Sequence, residues 1–309
     1  VDDNQLVGAA DLDDSEALDI IATLEGPFCV IENLAGETLT FDEPLLGGNE
    51  ANVTFNLSSD ETGTSQVNAF IAVNHAHDFV TNVLPDVPEL DAPVLTRVNV
   101  DDDCNAFFRR EGDGILEFFR SGGCANSAYS SIVFHEYGHF FSLIACGYDR
   151  IMPAYDEGMA DGLALLMTGT SEIGSDFNGP PKECDSRAPL RDLAESKAIY
   201  PNDVLSERHE AGLILGRAFW NLRENLIGAH GEPEADEILS TLHLKSLFLP
   251  QARAVLSPDL VLDFLNVDDL VFGDGNIFNG TPNDTSIVSA FTISGLEIPT
   301  VASVSHVPL

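Results

Sequence analysis

Basic residues are scarce in this chain: 14 Lys and Arg stand against 51 Asp and Glu, a formal net charge of −37. Lysine occurs only as Lys182, Lys197 and Lys245. A surface of that sign repels nucleic acid and anionic membranes, so neither is expected as a partner. Long apolar runs are missing too. No stretch approaches the ~20 residues a membrane-spanning helix needs. The five cysteines contain no CxxC pair, which argues against a cysteine-ligated zinc. Internal repeats and low-complexity blocks are absent, which argues against a solenoid. The chain opens at Val1 with neither an initiator methionine nor a signal peptide, and is read as a processed or trimmed mature form.

What is present is ample material for a core. Of 309 residues, 44% are hydrophobic, enough for one large domain or two lobes. An acidic excess of this size suits high salt, where self-repulsion is screened, and points to a secreted protein in a saline or marine setting. The plainer alternative is a solvated acidic face with some carboxylates holding calcium.

One stretch carries chemistry. His135-Glu136-Tyr137-Gly138-His139 matches HExxH. On a helix, positions i and i+4 share a face, so both imidazoles can address one ion. Ile132, Val133, Phe134, Phe140 and Leu143 supply apolar faces, Ser127 is the predicted cap and Gly147 the predicted stop. Glu157 follows eighteen residues after His139, in Glu157-Gly158-Met159-Ala160-Asp161. A second helix from about Ala154 presents Glu157 and Asp161 on one face. Glu157 is then a third ligand, and Asp161 an acceptor for the outer N–H of a ligand histidine. Glu136 stands where a base for the attacking water belongs. HExxHxxGxxH is excluded, because Ser142 and Ala145 occupy the positions of its Gly and His. The bland reading is a buried amphipathic helix with two incidental histidines.

The rest of the chain is organised around this stretch. Residues 1–18 read as an acidic arm. Strands are predicted at Phe28–Ile31, Glu37–Phe41, Ala51–Leu57 and Val94–Val100, with a helix over Ser65–Leu84. Asn105–Phe108 and Ile115–Phe119 form a predicted hairpin. Thr168–Pro189 is loop, Leu190–Leu193 a short helical piece, and further helices cover His209–Ile227, Glu234–Phe248 and Ser257–Leu265. Asp268, Asp269, Asp274 and Asn276 form a possible calcium-binding group without EF-hand spacing. In an exported protein the cysteines suggest two disulfides and a leftover thiol. Cys104 with Cys124 would close the hairpin and Cys146 with Cys184 would tie the two motif helices to a later loop, though sequence leaves the pairing open. The expected class is α+β. A β-rich N-terminal lobe, 1–126, carries one long helix, and a mainly helical C-terminal lobe, 127–309, carries the metal site, with the HExxH helix between them.

HEYGH followed by EGMAD resembles the gluzincin metallopeptidases of the thermolysin and fungalysin type. The helix NAFIAVNHAHDF is similar to one near the start of the fungalysin-type catalytic domain, and NGTPN to a segment of secreted bacterial relatives. The resemblance implies zinc held by His135, His139 and Glu157, with Glu136 as the catalytic base. It implies that Asn105 and Ala106 on an edge strand hold peptide, that Arg191 in an LRS-like segment binds a substrate carbonyl, and that His209 in HEAG steadies the transition state. The family's tyrosine donor has two candidates here, Tyr148 and Tyr155, and the acidic partner of its catalytic histidine is expected at Asp203. The implied function is a secreted, monomeric zinc endopeptidase acting on peptide or protein substrates. The alternatives are an exopeptidase or other zinc amide hydrolase, or an inactive zinc-binding extracellular protein.

Overall fold

The structure, a computed structural model, describes residues 18–45, 55, 60–147, 151–175, 177, 189–249 and 255–299. The acidic arm through residue 17, the predicted strand at 51–57 (apart from Phe55), Tyr148, Cys184 and the tail from 300 lie outside the described residues. The chain packs as two compact units, 1–144 with 172–191 and 145–171 with 192–309.

The first unit is built on a four-stranded sheet. Its strands are β2 (Cys29–Asn33), β4 (Val94–Val100), β5 (Ala106–Arg109) and β6 (Ile115–Phe119), in the order β2-β4-β6-β5. The β2–β4 and β4–β6 pairs are parallel, and β5–β6 is an antiparallel hairpin matching Ala106 to Phe118 and Arg109 to Ile115. Parallel neighbours need a crossover, which helix α1 (Glu61–Val83) supplies between β2 and β4. β1 (Leu18–Thr23) and β3 (Thr40–Leu45) form a separate antiparallel pair. β6 is buried at every position, as a strand covered on both faces must be.

Helix α1 begins four residues before the predicted start, because Asp60 caps it by accepting from the Gly63 N–H at 2.8 Å. A buried polar network ties this end to the sheet. Asn99, in the left-handed region at φ 57°, donates to Asn33 Oδ1 at 2.9 Å and to the Thr62 carbonyl at 3.1 Å. Its own Oδ1 accepts from Ser65 at 2.8 Å and Asn126 at 3.1 Å. The Cys104–Cys124 disulfide is present as expected, with Cα atoms 5.1 Å apart.

The HExxH helix α2 runs from Ser130 to Cys146. Ser127 is not its cap; the Ser127 hydroxyl instead accepts from the Phe119 N–H at 2.7 Å, tying the approach to the end of β6. Helix α3 (Pro153–Thr168) starts with proline in its first turn and stops at Gly169 in the left-handed region.

In the second unit α3 packs with α4 (Arg208–His230), α5 (Glu232–Ser246), α6 (Leu260–Phe272) and α7 (Asp284–Ile293). Phe219, Phe264 and Phe291, one from each of α4, α6 and α7, meet in a ring cluster with centroids 4.9–6.4 Å apart. Helix α7 was not foreseen. The predicted helical piece at Leu190–Leu193 is instead the short strand β8 (Arg191–Asp192), and β7 (Glu172–Ile173) precedes it. Asp192 folds its carboxylate back onto the Ala194 N–H at 3.0 Å, a turn rather than a helix start. Among the described residues no helix is long and apolar enough to cross a membrane.

Candidate metal centre

Helix α2 supplies the histidines. Its apolar side chains Ile132, Val133, Phe134, Tyr137, Phe140 and Phe141 are all buried, and so are His135 (5% exposed) and Glu136 (6%). Tyr137 stacks edge-on against Phe140 at 5.4 Å, and Phe140 against Phe108 of the hairpin at 6.1 Å. The helix is thereby fixed in rotation. His135 and His139 are one turn apart with rings nearly perpendicular, and their Nε2 atoms lie 3.1 Å apart. Two nitrogens bonded to one tetrahedral zinc at ~2.0–2.1 Å stand about 3.3 Å from each other. Arg191 brings a guanidinium nitrogen to 3.4 Å from His135 Nδ1, at the limit of a hydrogen bond.

Helices α3 and α4 supply the carboxylate and a third imidazole. Glu157 (3% exposed) and Asp161 (0%) are buried one turn apart on α3. Two glycines allow α4 to approach them closely. A Cβ on Gly158 would stand 2.8 Å from the Gly212 carbonyl and 2.6 Å from Leu215 Cβ; one on Gly212 would stand 2.8 Å from Glu157 Cβ. The close crossing sets His209, in the first turn of α4, beside Glu157, with Nε2 3.3 Å from Oε1. On the other side of the ring, His209 Nδ1 meets Glu207 Oε1 at 2.8 Å. Burial raises the Glu207 carboxyl pKa, but hydrogen bonds from the side chain and backbone of His209 outweigh this and hold it below its usual value. Arg208 adds a cation, its Nε 3.2 Å from Glu157 Oε1.

One ligand atom from each of His135, His139 and Glu157 lies within 4.8 Å of the other two. Two imidazoles and a carboxylate are a zinc-type set with room for a fourth partner. The paired Nε2 atoms fit such an ion, since their spacing is close to that between two ligands of one metal.

Other expected residues fall as follows. Ala106 lies on β5, the edge of its sheet, and the exposed Asn105 accepts the Ala106 N–H at 2.9 Å. Tyr155 is buried, and its phenol pKa is pushed well above the usual value, by burial first and then by Cys146, Asp263 and Asp156 nearby. Asp203 accepts the Ile199 N–H at 2.8 Å, and the acid in contact with His209 is Glu207. Glu207 and Arg208 escaped the sequence reading, although both directly precede His209 and Glu207 sits at the N-cap of α4. Asp268 accepts from the Thr281 hydroxyl at 2.5 Å and from the backbone and side chain of Asn283, both at 2.7 Å. Asn276 caps a short 3₁₀ turn.

No protein-family model and no curated protein matches this chain. Among solved structures, it is similar to the precursor of protealysin, a metalloproteinase from Serratia proteamaculans. The TM-score is 0.63 at 12% sequence identity, over 93% of this chain and 90% of that one. The likeness is one of fold, that of a metalloproteinase with mixed helix and sheet.

Proposed function

We propose that this protein is a secreted, zinc-dependent endopeptidase. The observation that supports the reading most is the proximity of His135, His139 and Glu157, with the acid Glu136 in the turn between the two histidines. Bound by these three residues, zinc would polarise the scissile carbonyl and bring the pKa of water toward 7.

The remaining work falls to the chain's own groups. Glu136 takes the proton of the attacking water and delivers it to the leaving nitrogen. His209, held by Glu207, donates from Nε2 to the oxygen on which charge develops; loss of such a donor costs ~10²–10³ in rate. Asp161 orients a ligand imidazole. The free edge of β5 at Asn105 and Ala106 pairs with an extended peptide, and Arg191 steers its carbonyl. The Cys104–Cys124 bridge and the −37 charge support an extracellular, saline setting.

The test is casein digestion by the full chain with and without a zinc chelator, alongside Glu136→Gln. Digestion should stop on chelation and return with zinc. Glu136→Gln should retain stoichiometric zinc and lose turnover. Wild-type cleavage by that variant, or by metal-free protein, would defeat the reading. Peptides with blocked and free ends separate an endopeptidase from an exopeptidase.

A further inference from the structure

A second acidic site lies in the turn joining α6 to α7, and it does not depend on the zinc reading. Asp269 is 2% exposed near the end of α6. Its Oδ1 accepts the Asp274 N–H at 3.3 Å, while its Oδ2 is buried with no hydrogen-bond partner. A buried carboxylate oxygen left unsatisfied is costly unless something positive meets it. Asp269 lines a shallow surface depression together with Gly273, Asp274, Asn279, Thr281 and Asp284. The turn folds directly over the carboxylate: a Cβ at Gly273 would come within 2.2 Å of Asp269 Oδ1. Asp284 opens α7, and its Oδ2 points back toward Gly280, whose Cβ would meet it at 3.2 Å. Among the described residues no Lys or Arg lines the depression.

We propose that this turn is a calcium site with Asp269, Asp274 and Asp284 as its carboxylate ligands. Hard oxygen donors suit calcium, which accepts six to eight oxygens in irregular geometry; magnesium demands a near-ideal octahedron. Asp268, beside them in sequence, is not part of the set: it is 0% exposed, and hydrogen bonds from Thr281 and Asn283 hold both of its oxygens inside the protein. Those bonds pin the far side of the turn so that it can close on an ion. The oxygens of Asp274 accept from the Asn276 N–H at 3.1 Å and the Asn279 amide at 2.9 Å, but Asp274 is exposed, so an ion can displace these bonds. Among the described residues only the His135–His139–Glu157 set already has its ligand atoms within 4.8 Å of one another, so calcium draws the turn's carboxylates together.

Metal-free full-length protein is titrated with calcium chloride by calorimetry, and its thermal melt is followed in parallel, with magnesium chloride as the control. The expected result is one equivalent bound and a raised melting midpoint, with a much weaker magnesium response. Asp269→Asn and Asp284→Asn should each weaken calcium binding at least tenfold, and Glu157→Ala should leave it unchanged. Should Asp269→Asn fail to fold, the half-buried Asp284 decides. The proposal is overturned by no heat and no shift up to about 10 mM calcium, by an equal magnesium response, or by unchanged affinity in the two aspartate variants. Because no step reads peptide cleavage, its outcome is separate from that of the peptidase assignment.

Discussion

The histidine half and the carboxylate half of the candidate metal centre are assembled by different means. His135 and His139 are four residues apart on one helix, so the backbone itself sets their relation. Glu157 and His209 are 52 residues apart, and their 3.3 Å approach exists because Gly158 and Gly212 leave no side chain between α3 and α4. The first arrangement is local and robust to changes elsewhere. The second depends on packing, and small changes far from any ligand should disturb it.

Direct removal of a proposed ligand should produce the largest effect, and it should not distinguish the halves. His139→Ala and Glu157→Ala should each lower zinc affinity by more than the 10–100-fold that follows loss of a supporting hydrogen bond. Equilibrium dialysis against a competing chelator measures it. Near-wild-type zinc binding by Glu157→Ala would place the third ligand elsewhere.

Acid should then act on the carboxylate half first. His243 of α5 is fully buried and holds Nε2 3.0 Å from the Met159 carbonyl of α3. Burial pushes its pKa down to about 4, against a lesser upward pull from that hydrogen bond. The unfolded chain therefore takes up the proton first. The stability this residue contributes is complete above about pH 6.5 and is lost as pH falls toward 4, by an amount on the order of 3 kcal/mol. Urea melts at pH 7 and pH 5 should show the loss, and His243→Gln should shrink it. An unchanged acid slope in that variant would remove His243 as the cause.

How much of this was legible in the sequence follows the same division. The strands Val94–Val100 and Ile115–Phe119, the hairpin and the HExxH helix are local patterns, and they are found where periodicity puts them. The Leu190–Leu193 segment differs from its expectation because four residues are too few for periodicity to tell a short strand from a helical turn. Helix α7, only ten residues long, has no assignment in the sequence pattern. Glu207 was missed for a different reason. The expected acidic partner was sought upstream at Asp203, whereas an N-cap carboxylate next to the histidine makes the shorter connection. Tertiary partners of this kind have no period and leave only adjacency as a signal.

Packing between α3 and α4 can be probed without touching a ligand. Gly212→Ala places a methyl 2.8 Å from Glu157 Cβ and 3.0 Å from the Gly158 nitrogen, so the helices must separate. Alanine's higher helix propensity, up to ~1 kcal/mol, offsets part of the cost. A net destabilisation of about 1–2 kcal/mol is expected, with kcat falling further than stability alone explains, because His209 moves with α4. Gly228→Ala on the same helix, where a Cβ meets nothing within 4 Å, is the control and should be neutral or stabilising.

The smallest expected effect is the most specific. Glu207→Gln keeps the size and the N-cap oxygen of the side chain but removes the charge beside His209 Nδ1. Zinc content should stay at one equivalent, since Glu207 lies outside the proposed ligand set, and KM should hold because the proposed mechanism gives Glu207 no contact with substrate. Only kcat should fall, by about tenfold, as the imidazole loses the partner that orients it. An Asp203→Asn variant should show no such split, because Asp203 serves the Ile199 N–H instead. If Asp203→Asn lowers kcat and Glu207→Gln does not, the partner assignment reverses, and the contact between His209 and Glu207 is then only a helix cap.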